Sequence, residues 1–257
     1  MTRRIRFITE YDGTNYVGWQ DQPNGTAVQE LLEKAVFETT GEKTTVQGSG
    51  RTDSGVHARA QVAHFDTEAR MAADKFAYAL NTRLPQDIRV LWSEEAPEGF
   101  HSRFSAKYKQ YRYAVQTGPH ARVFTRNNAL HCYSKLDFDK MQRAAEAVTG
   151  EHDFRAFMCK DTKMENTVRT VYLSEWRREG EMLYYNVAGN GFLYNMVRIL
   201  VGTMLDIGAG RKGEEAIAEA LTGCDRNFAG ATAPAKGLTL WRVRYADFDT
   251  EEILSKL

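Results

Sequence analysis

The chain has little of what would mark a secreted, membrane-bound or metal-dependent protein. Three cysteines occur in 257 residues, Cys132, Cys159 and Cys224. Their odd number and wide spacing, with no Cys-x-x-Cys pair, fit free thiols in a reducing cytoplasm better than a disulfide framework or a zinc site. The six histidines form no His-Glu-x-x-His arrangement, so no metal is expected. The longest apolar run, Gly191 to Leu205, is too short to span a bilayer and contains Arg198, which argues against a membrane segment. Met1 to Arg6 leads straight into a strand-like run without an apolar signal segment, so secretion is not expected. Asn24-Gly25-Thr26 is formally a glycosylation sequon, and in a cytosolic chain it reads as a turn and cap. Net charge is missing too: Lys plus Arg and Asp plus Glu are both 34, so the total gives no sign of a nucleic-acid partner.

The distribution of charge does. Between Gly99 and Lys135 stand Arg103, Lys107, Lys109, Arg112, Arg122, Arg126 and Lys135 with no acid among them, interleaved with Phe100, Phe104, Tyr108, Tyr111, Tyr113, Phe124 and Tyr133. Cations attract phosphate and aromatic rings offer stacking faces for bases. An edge strand with outward lysines over an aromatic core is an equally good account of the same pattern. The balancing acids lie elsewhere, at Glu94-Glu95, Glu214-Glu215 and Asp247 to Glu252.

A hydrophobic content of 42% suffices for a sizeable core, in one large domain or two ordinary ones. Arg3 to Tyr11 alternates as a half-buried strand does. Thr26-Ala27-Val28-Gln29 has the form of a capping box, followed at helical spacing by Val28, Leu31, Leu32, Ala35 and Val36 until Gly41. A short strand over Thr44 to Gln47, a strand over Ala60 to Asp66, a helix over Ala72 to Arg83 stopped before Pro85, and a strand over Ile88 to Ser93 complete a βαββαβ order, the ferredoxin-like split unit. After a charged linker the order repeats. A strand over Gln110 to Gln116, a helix over Phe138 to Val148, a hairpin of Val168 to Arg177 with Met182 to Ala188, an apolar helix over Phe192 to Ile207 and a last strand over Leu238 to Tyr245 follow, with an inserted helix near Glu214 to Leu221. The expected fold is therefore α+β, two ferredoxin-like halves (1–98 and 99–257) related by a pseudo-twofold, with mainly antiparallel sheets joined centrally, helices outside and a cleft at the junction.

Two features stand out chemically. Gly48-Ser49-Gly50-Arg51-Thr52-Asp53-Ser54-Gly55-Val56-His57-Ala58 sets a carboxylate and a guanidinium in a glycine-punctuated loop, where positive φ and close backbone approach can present Asp53 as a nucleophile. Taken alone, a Thr-Asp-Ser-Gly string is more often an Asx-type turn. It is neither a phosphate cradle, which needs Gly-Lys-Ser/Thr, nor a dinucleotide fingerprint. The second feature is Arg198, alone among apolar residues of its helix. A buried guanidinium needs a partner; it could join a core salt bridge, snorkel at the helix surface, or pair with Asp53 and keep that carboxylate ionised.

The string Gly50 to Ala58 resembles, without interruption, the catalytic loop of the tRNA pseudouridine synthase A family. Tyr11-Asp12-Gly13-Thr14, Gly18-Trp19-Gln20, Phe100 to Ala106 with Tyr111-Arg112-Tyr113, Asp153-Phe154, Phe192 with Met196-Val197-Arg198, and Ala233 to Leu238 are similar to its other blocks, so the resemblance spans essentially the whole chain. Ser54, where Ala is commoner, and Ala60, where Gly is expected, depart from it. The resemblance implies an isomerase that converts uridine to pseudouridine at positions 38 to 40 of the tRNA anticodon arm, acting as a homodimer without metal or cofactor. It makes Asp53 the catalytic carboxylate, Tyr111 the ring on the target uracil, Arg198 the basic partner of Asp53 and Arg51 the group that fills the space of the extruded base; Arg103, Lys107, Lys109 and Leu238 join the substrate-binding set. A non-catalytic RNA-binding or tRNA-folding protein on the same fold is the alternative, and it makes the carboxylate dispensable. An aspartate-nucleophile glycosidic hydrolase fits less well, since the loop holds no second carboxylate.

Overall fold

The computed structural model describes residues 1–159 and 164–257. In chain order the elements are β1 (Arg3–Tyr11), α1 (Val28–Thr40), β2 (Gln47–Gly48), β3 (His57–Thr67), α2 (Phe76–Asn81), β4 (Ile88–Glu95), β5 (Tyr108–Thr117), β6 (Leu130–Cys132), α3 (Phe138–Glu146), β7 (Gly150–Asp153), β8 (Val168–Glu179), β9 (Met182–Gly189), α4 (Met196–Gly208), α5 (Ala216–Gly223), β10 (Leu238–Arg244) and α6 (Thr250–Leu254). They form a mixed α+β chain of mostly antiparallel sheet with two compact units, Met1–Tyr108 with Thr239–Leu257, and Lys109–Leu238. A division at 98/99 keeps the last strand with the second half; in the structure the chain from Thr239 onward groups with the first unit.

In the first unit the strand order is β4, β1, β3, β10, with β2 on β3. β1 is antiparallel to β3, Ile5 opposite Phe65 and Phe7 opposite Ala63, and antiparallel to β4, Phe7 opposite Ser93. β10 runs parallel to β3, Thr239 opposite His57 and Leu240 opposite Ala58. Phe7, Phe65 and Phe76 carry the core, with ring centroids 6.0 Å and 5.4 Å apart, and Leu32 of α1 and Leu80 of α2 are fully buried. The alternation of β1 suggests one wet face, yet Ile5 to Thr9 are all buried. Arg6 explains this. Its guanidinium lies 4.1 Å from the Phe248 centroid and 4.9 Å from that of Phe100, and it is paired with Glu94 and, at 2.5 Å, with Asp247. The C-terminal segment thus covers the face that period-two reading leaves to solvent, and the cation is tolerated there because two carboxylates and aromatic faces replace its water.

The local signals were partly redirected by tertiary contacts. The helix over α1 ends at Gly41 with φ 76°, as its pattern requires, but Thr26 makes no cap: the N-cap is Ala27 without a side-chain bond. The free amides of the first turn go instead to main chain, Val28 N–H to the Gly18 carbonyl at 3.1 Å and Gln29 N–H to that of Trp19 at 3.0 Å. Such groups must be satisfied by something. The helix expected over 72–83 is α-helical only from Phe76 to Asn81, where the Asn81 amide turns aside to donate to and accept from the backbone of Val90 at 2.7 and 2.8 Å.

In the second unit the order is β5, β9, β8, β7, with β6 parallel on β5. Tyr111 faces Val187 and Tyr113 faces Tyr185 across the antiparallel β5/β9 pair. The β8/β9 hairpin turns at Gly180, φ 59°. The apolar helix begins at Met196 and not at Phe192, because Asn195 adopts a left-handed conformation, φ 62°, that no helix can run through. α4 is buried around most of its girth, and a Cβ on Gly208 would stand 2.6 Å from the Met141 sulfur, so that glycine sets how near α3 can come. No helix of the described residues is long and apolar enough to cross a membrane.

Candidate active site

The Asp53 loop leaves the short β2, turns at Ser54-Gly55 and re-enters the sheet as β3. Of Gly48, Gly50 and Gly55 only Gly55 has positive φ, 76°. Gly48 serves closeness: a Cβ there would sit 2.6 Å from the Trp19 ring. The loop is clamped from one side by residues 11–19. Asp53 forms an isolated antiparallel bridge with Gly18; Trp19 N–H donates to the Thr52 carbonyl at 3.0 Å and Gly55 N–H to that of Tyr16 at 3.3 Å. A Cβ on Gly13 would meet the Val56 carbonyl oxygen at 2.0 Å, and one on Gly18, φ 114°, the Thr52 oxygen at 2.5 Å. Two backbones can approach this closely only where one has no side chain. The sequence blocks Tyr11 to Thr14 and Gly18 to Gln20 therefore have a job in common with the loop: they are its seat.

Side chains complete the seat. The Tyr11 hydroxyl and Thr52 Oγ1 lie 2.8 Å apart in the interior, where burial pushes the tyrosine pKa far above its ordinary value. His57 Nδ1 accepts from the Gly13 amide at 3.0 Å and stands 3.1 Å from Asp12 Oδ1. Burial pushes the Asp12 carboxyl up, but the Thr14 hydroxyl and amide and the nearby His57 outweigh this and hold it below the usual carboxylate range. Thr52, Val56 and His57 are buried, Asp53 is half-buried and Arg51 is exposed. The loop thus offers one carboxylate and one cation from a rigid base.

Arg103 and Lys107 are exposed on the same unit, in and just after a turn that precedes β5. Tyr111, Lys109, Leu238 and Arg198 belong to the second unit. Tyr111 is 9% exposed and meets Phe192 edge-on at 5.2 Å. Tyr113, two residues along the same face, is fully buried, donates to the Pro234 carbonyl at 2.8 Å and lies where a Cβ on Gly237 would be, 2.6 Å away. Arg198 is half-buried in the first turn of α4. Its Nε donates to the Ala233 carbonyl at 2.8 Å and its Nη1 to Asn195 Oδ1 at 2.8 Å, while Ala233 N–H returns a bond to the Arg198 carbonyl at 3.0 Å. Ala233 and Asn195 were not singled out by sequence reasoning as supports of Arg198; the only trace was that Ala233 opens one family block and Asn195 adjoins another. Among the described residues no three His, Cys, Asp or Glu side chains gather as a metal site.

A family model for tRNA pseudouridine synthase matches residues 7–105 and 144–246. The protein called tRNA pseudouridine synthase A from Ruminiclostridium cellulolyticum is 48% identical over 244 residues, covering 95% of this chain and all of that one. Those of Brevibacillus brevis and Bacillus subtilis are 46% identical over 243 residues and 45% over 244, covering 95% and 94% of this chain and 100% and 99% of theirs. The chain belongs to the tRNA pseudouridine synthase family, a family of isomerases.

Proposed function

We propose that the protein isomerises uridine to pseudouridine at positions 38 to 40 of the tRNA anticodon arm, as a cytoplasmic homodimer that needs neither metal nor cofactor, with Asp53 starting the reaction. The observation that carries this reading is the unbroken Gly50 to Ala58 loop, seated by the Tyr11 to Trp19 segment within a chain that the family model matches on both sides. The reaction breaks the bond from N1 to C1′, turns the uracil and joins C5 to C1′; C5 then loses its proton and N1 gains one, so electrons and atoms balance between uridine and its isomer. One carboxylate can initiate it by attack at C1′, by attack at C6 or by taking the C2′ proton. A stacked uridine must first leave the helix, at a cost of a few kcal/mol. Arg51, exposed beside Asp53, suits the vacated space, and Tyr111, nearly buried and steadied by Phe192, suits the flipped ring. Arg198 supplies positive charge, and Arg103, Lys107, Lys109 and Leu238 complete the substrate contacts.

Incubating the protein with an unmodified tRNA transcript and mapping pseudouridine by base-resolved chemistry tests the assignment. Conversion at 38, 39 or 40 is expected; conversion only elsewhere would overturn the positions, and tight tRNA binding without conversion would favour a tRNA-folding role.

A further inference from the structure

The turn that precedes β5 displays a ring for which the fold itself has no use. Phe104 is 74% exposed, yet one face of it is backed by another ring. Its ring lies 4.4 Å from that of His101 at an angle of 38°. His101 in turn rests on His64, 4.8 Å away, which is buried in β3 and whose Nδ1 lies 2.9 Å from the Ser102 hydroxyl and accepts from the Ser102 amide at 3.2 Å. The turn is closed by reciprocal bonds, His101 N–H to Ser105 Oγ at 3.0 Å and Ser105 N–H to the His101 carbonyl at 2.9 Å. The Tyr245 hydroxyl pins the Ser102 carbonyl at 2.6 Å. Arg103 N–H donates to His101 Nδ1 at 3.1 Å, so that nitrogen carries no proton and the backing ring is neutral. Burial, with Arg4 and Arg103 nearby, lowers the His101 pKa and favours the same state.

We propose that Phe104, backed by His101 and flanked by Arg103 and Lys107, is a stacking platform for one unpaired nucleobase of the bound RNA, separate from the base that reacts. An exposed aromatic could instead cover a second copy of the chain, but charge favours RNA: Arg103 lies 5.7 Å from the Phe104 centroid, Lys107 is exposed close by, and no acid occurs from Gly99 to Lys135. A ring backed by half-buried His101, which itself rests on buried His64, loses less side-chain freedom when a base lands on it, which is what makes an isolated aromatic worth displaying. The inference rests on the reading of the protein as a tRNA-modifying enzyme and adds a contact outside its chemistry.

The test uses the full chain carrying Asp53→Asn, so that an unmodified tRNA transcript is bound and not converted, and measures Kd at several salt concentrations. Phe104→Ala should weaken binding by about 5- to 100-fold, the range of one lost base stack, without changing the slope of log Kd on log salt, because no phosphate contact is lost. Phe104→Trp should bind at least as tightly as the parent, and Phe104→Leu, equally apolar but without a π face, should bind like Phe104→Ala. Unchanged affinity in Phe104→Ala overturns the platform while leaving the tRNA reading intact. So does full affinity in Phe104→Leu, or a change confined to the sedimentation of the free protein, which would assign the ring to a second copy. A parent that binds no tRNA at all overturns both readings.

Discussion

The Asp53 loop and the Phe104 turn each present one side chain from a rigid base, and they reach rigidity by opposite means. The first is held chiefly by main chain, the bridge, amides and carbonyls of residues 16–19 against 52–55, brought close by Gly13 and Gly18, with the Tyr11–Thr52 and Gly13–His57 bonds added to it. The second is held by side chains, with His64, His101, Ser102, Ser105 and Tyr245 stacked or bonded in sequence. A main-chain seat fixes a position through amides and carbonyls that any residue carries. A side-chain seat uses side chains up, and suits a position whose only task is to offer a surface.

The comparison breaks first at the carboxylate. If the main-chain seat alone orders the loop, Asp53→Asn should fold as the parent does, bind tRNA within about twofold and lose pseudouridine formation by about three orders of magnitude or more in single turnover. A comparable rate would make Asp53 a turn residue. Next comes the seat itself. Gly18→Ala puts a methyl group 2.5 Å from the Thr52 oxygen in a backbone at φ 114°, a strain of about 1–3 kcal/mol that the loop can relieve only by moving. A shift of about 1 Å in a catalytic group can cost about a hundredfold, so the single-turnover rate should fall by that order while tRNA affinity holds. Loss of binding in parallel with rate would mean that the segment contacts RNA and does not merely seat the loop.

These two regions were unequally legible in the sequence. Contiguous glycine-marked strings such as Gly50 to Ala58 announce a special backbone, and the helices ending at Gly41 and the hairpin at Gly180 were readable for the same reason. What could not be read was assembled from distant side chains. The cover over Arg6 comes from Asp247 and Phe248, the cap of α1 from carbonyls rather than Thr26, and the late start of α4 from a left-handed Asn195 inside a run of suitable apolar composition. The short strands β6 and β7 and the final α6 fell below any pattern of useful length. Glycine spacing suggested positive φ and close approach in the Asp53 loop without saying which glycine serves which: Gly55 has the positive φ, and Gly48 is there to admit Trp19.

The cationic surface offers a third, smaller effect that touches the Phe104 side of the comparison. Neutralising Arg103, Lys107 and Lys109 together should lower the slope of log Kd on log salt by about 2, near 0.7–0.9 for each phosphate released. An unchanged slope would move the phosphate contacts off this stretch. His64 sharpens the same side through pH. Burial first, then the charges of Arg4 and His101, bring its pKa down to about 4 against some help from Asp66. The native imidazole is neutral where the unfolded one takes a proton, so this stability is complete above pH 6.5 and is lost as pH falls towards 4, by about 1–3 kcal/mol. Urea unfolding of the parent should show the loss, and His64→Gln, less stable at pH 7, should show a flatter profile across that window because the contribution of His64 is gone. Parallel profiles would place the acid sensitivity elsewhere.

The smallest effect belongs to Ser54, and its smallness is informative. Ser54 is exposed at the tip of the loop, its hydroxyl donating to the Tyr16 carbonyl at 3.2 Å where water can compete. The same carbonyl already accepts from the Gly55 amide at 3.3 Å, so removing the hydroxyl leaves no buried acceptor unsatisfied. A loop seated by main chain should not notice the loss: Ser54→Ala is expected to change stability by less than about 0.5 kcal/mol and the single-turnover rate by less than about twofold, measured beside Gly18→Ala under the same conditions. A Ser54→Ala variant as slow as Gly18→Ala would mean that the hydroxyl and not the backbone bridge aims Asp53, and the distinction between the two kinds of seat would fail at the residue next to the chemistry.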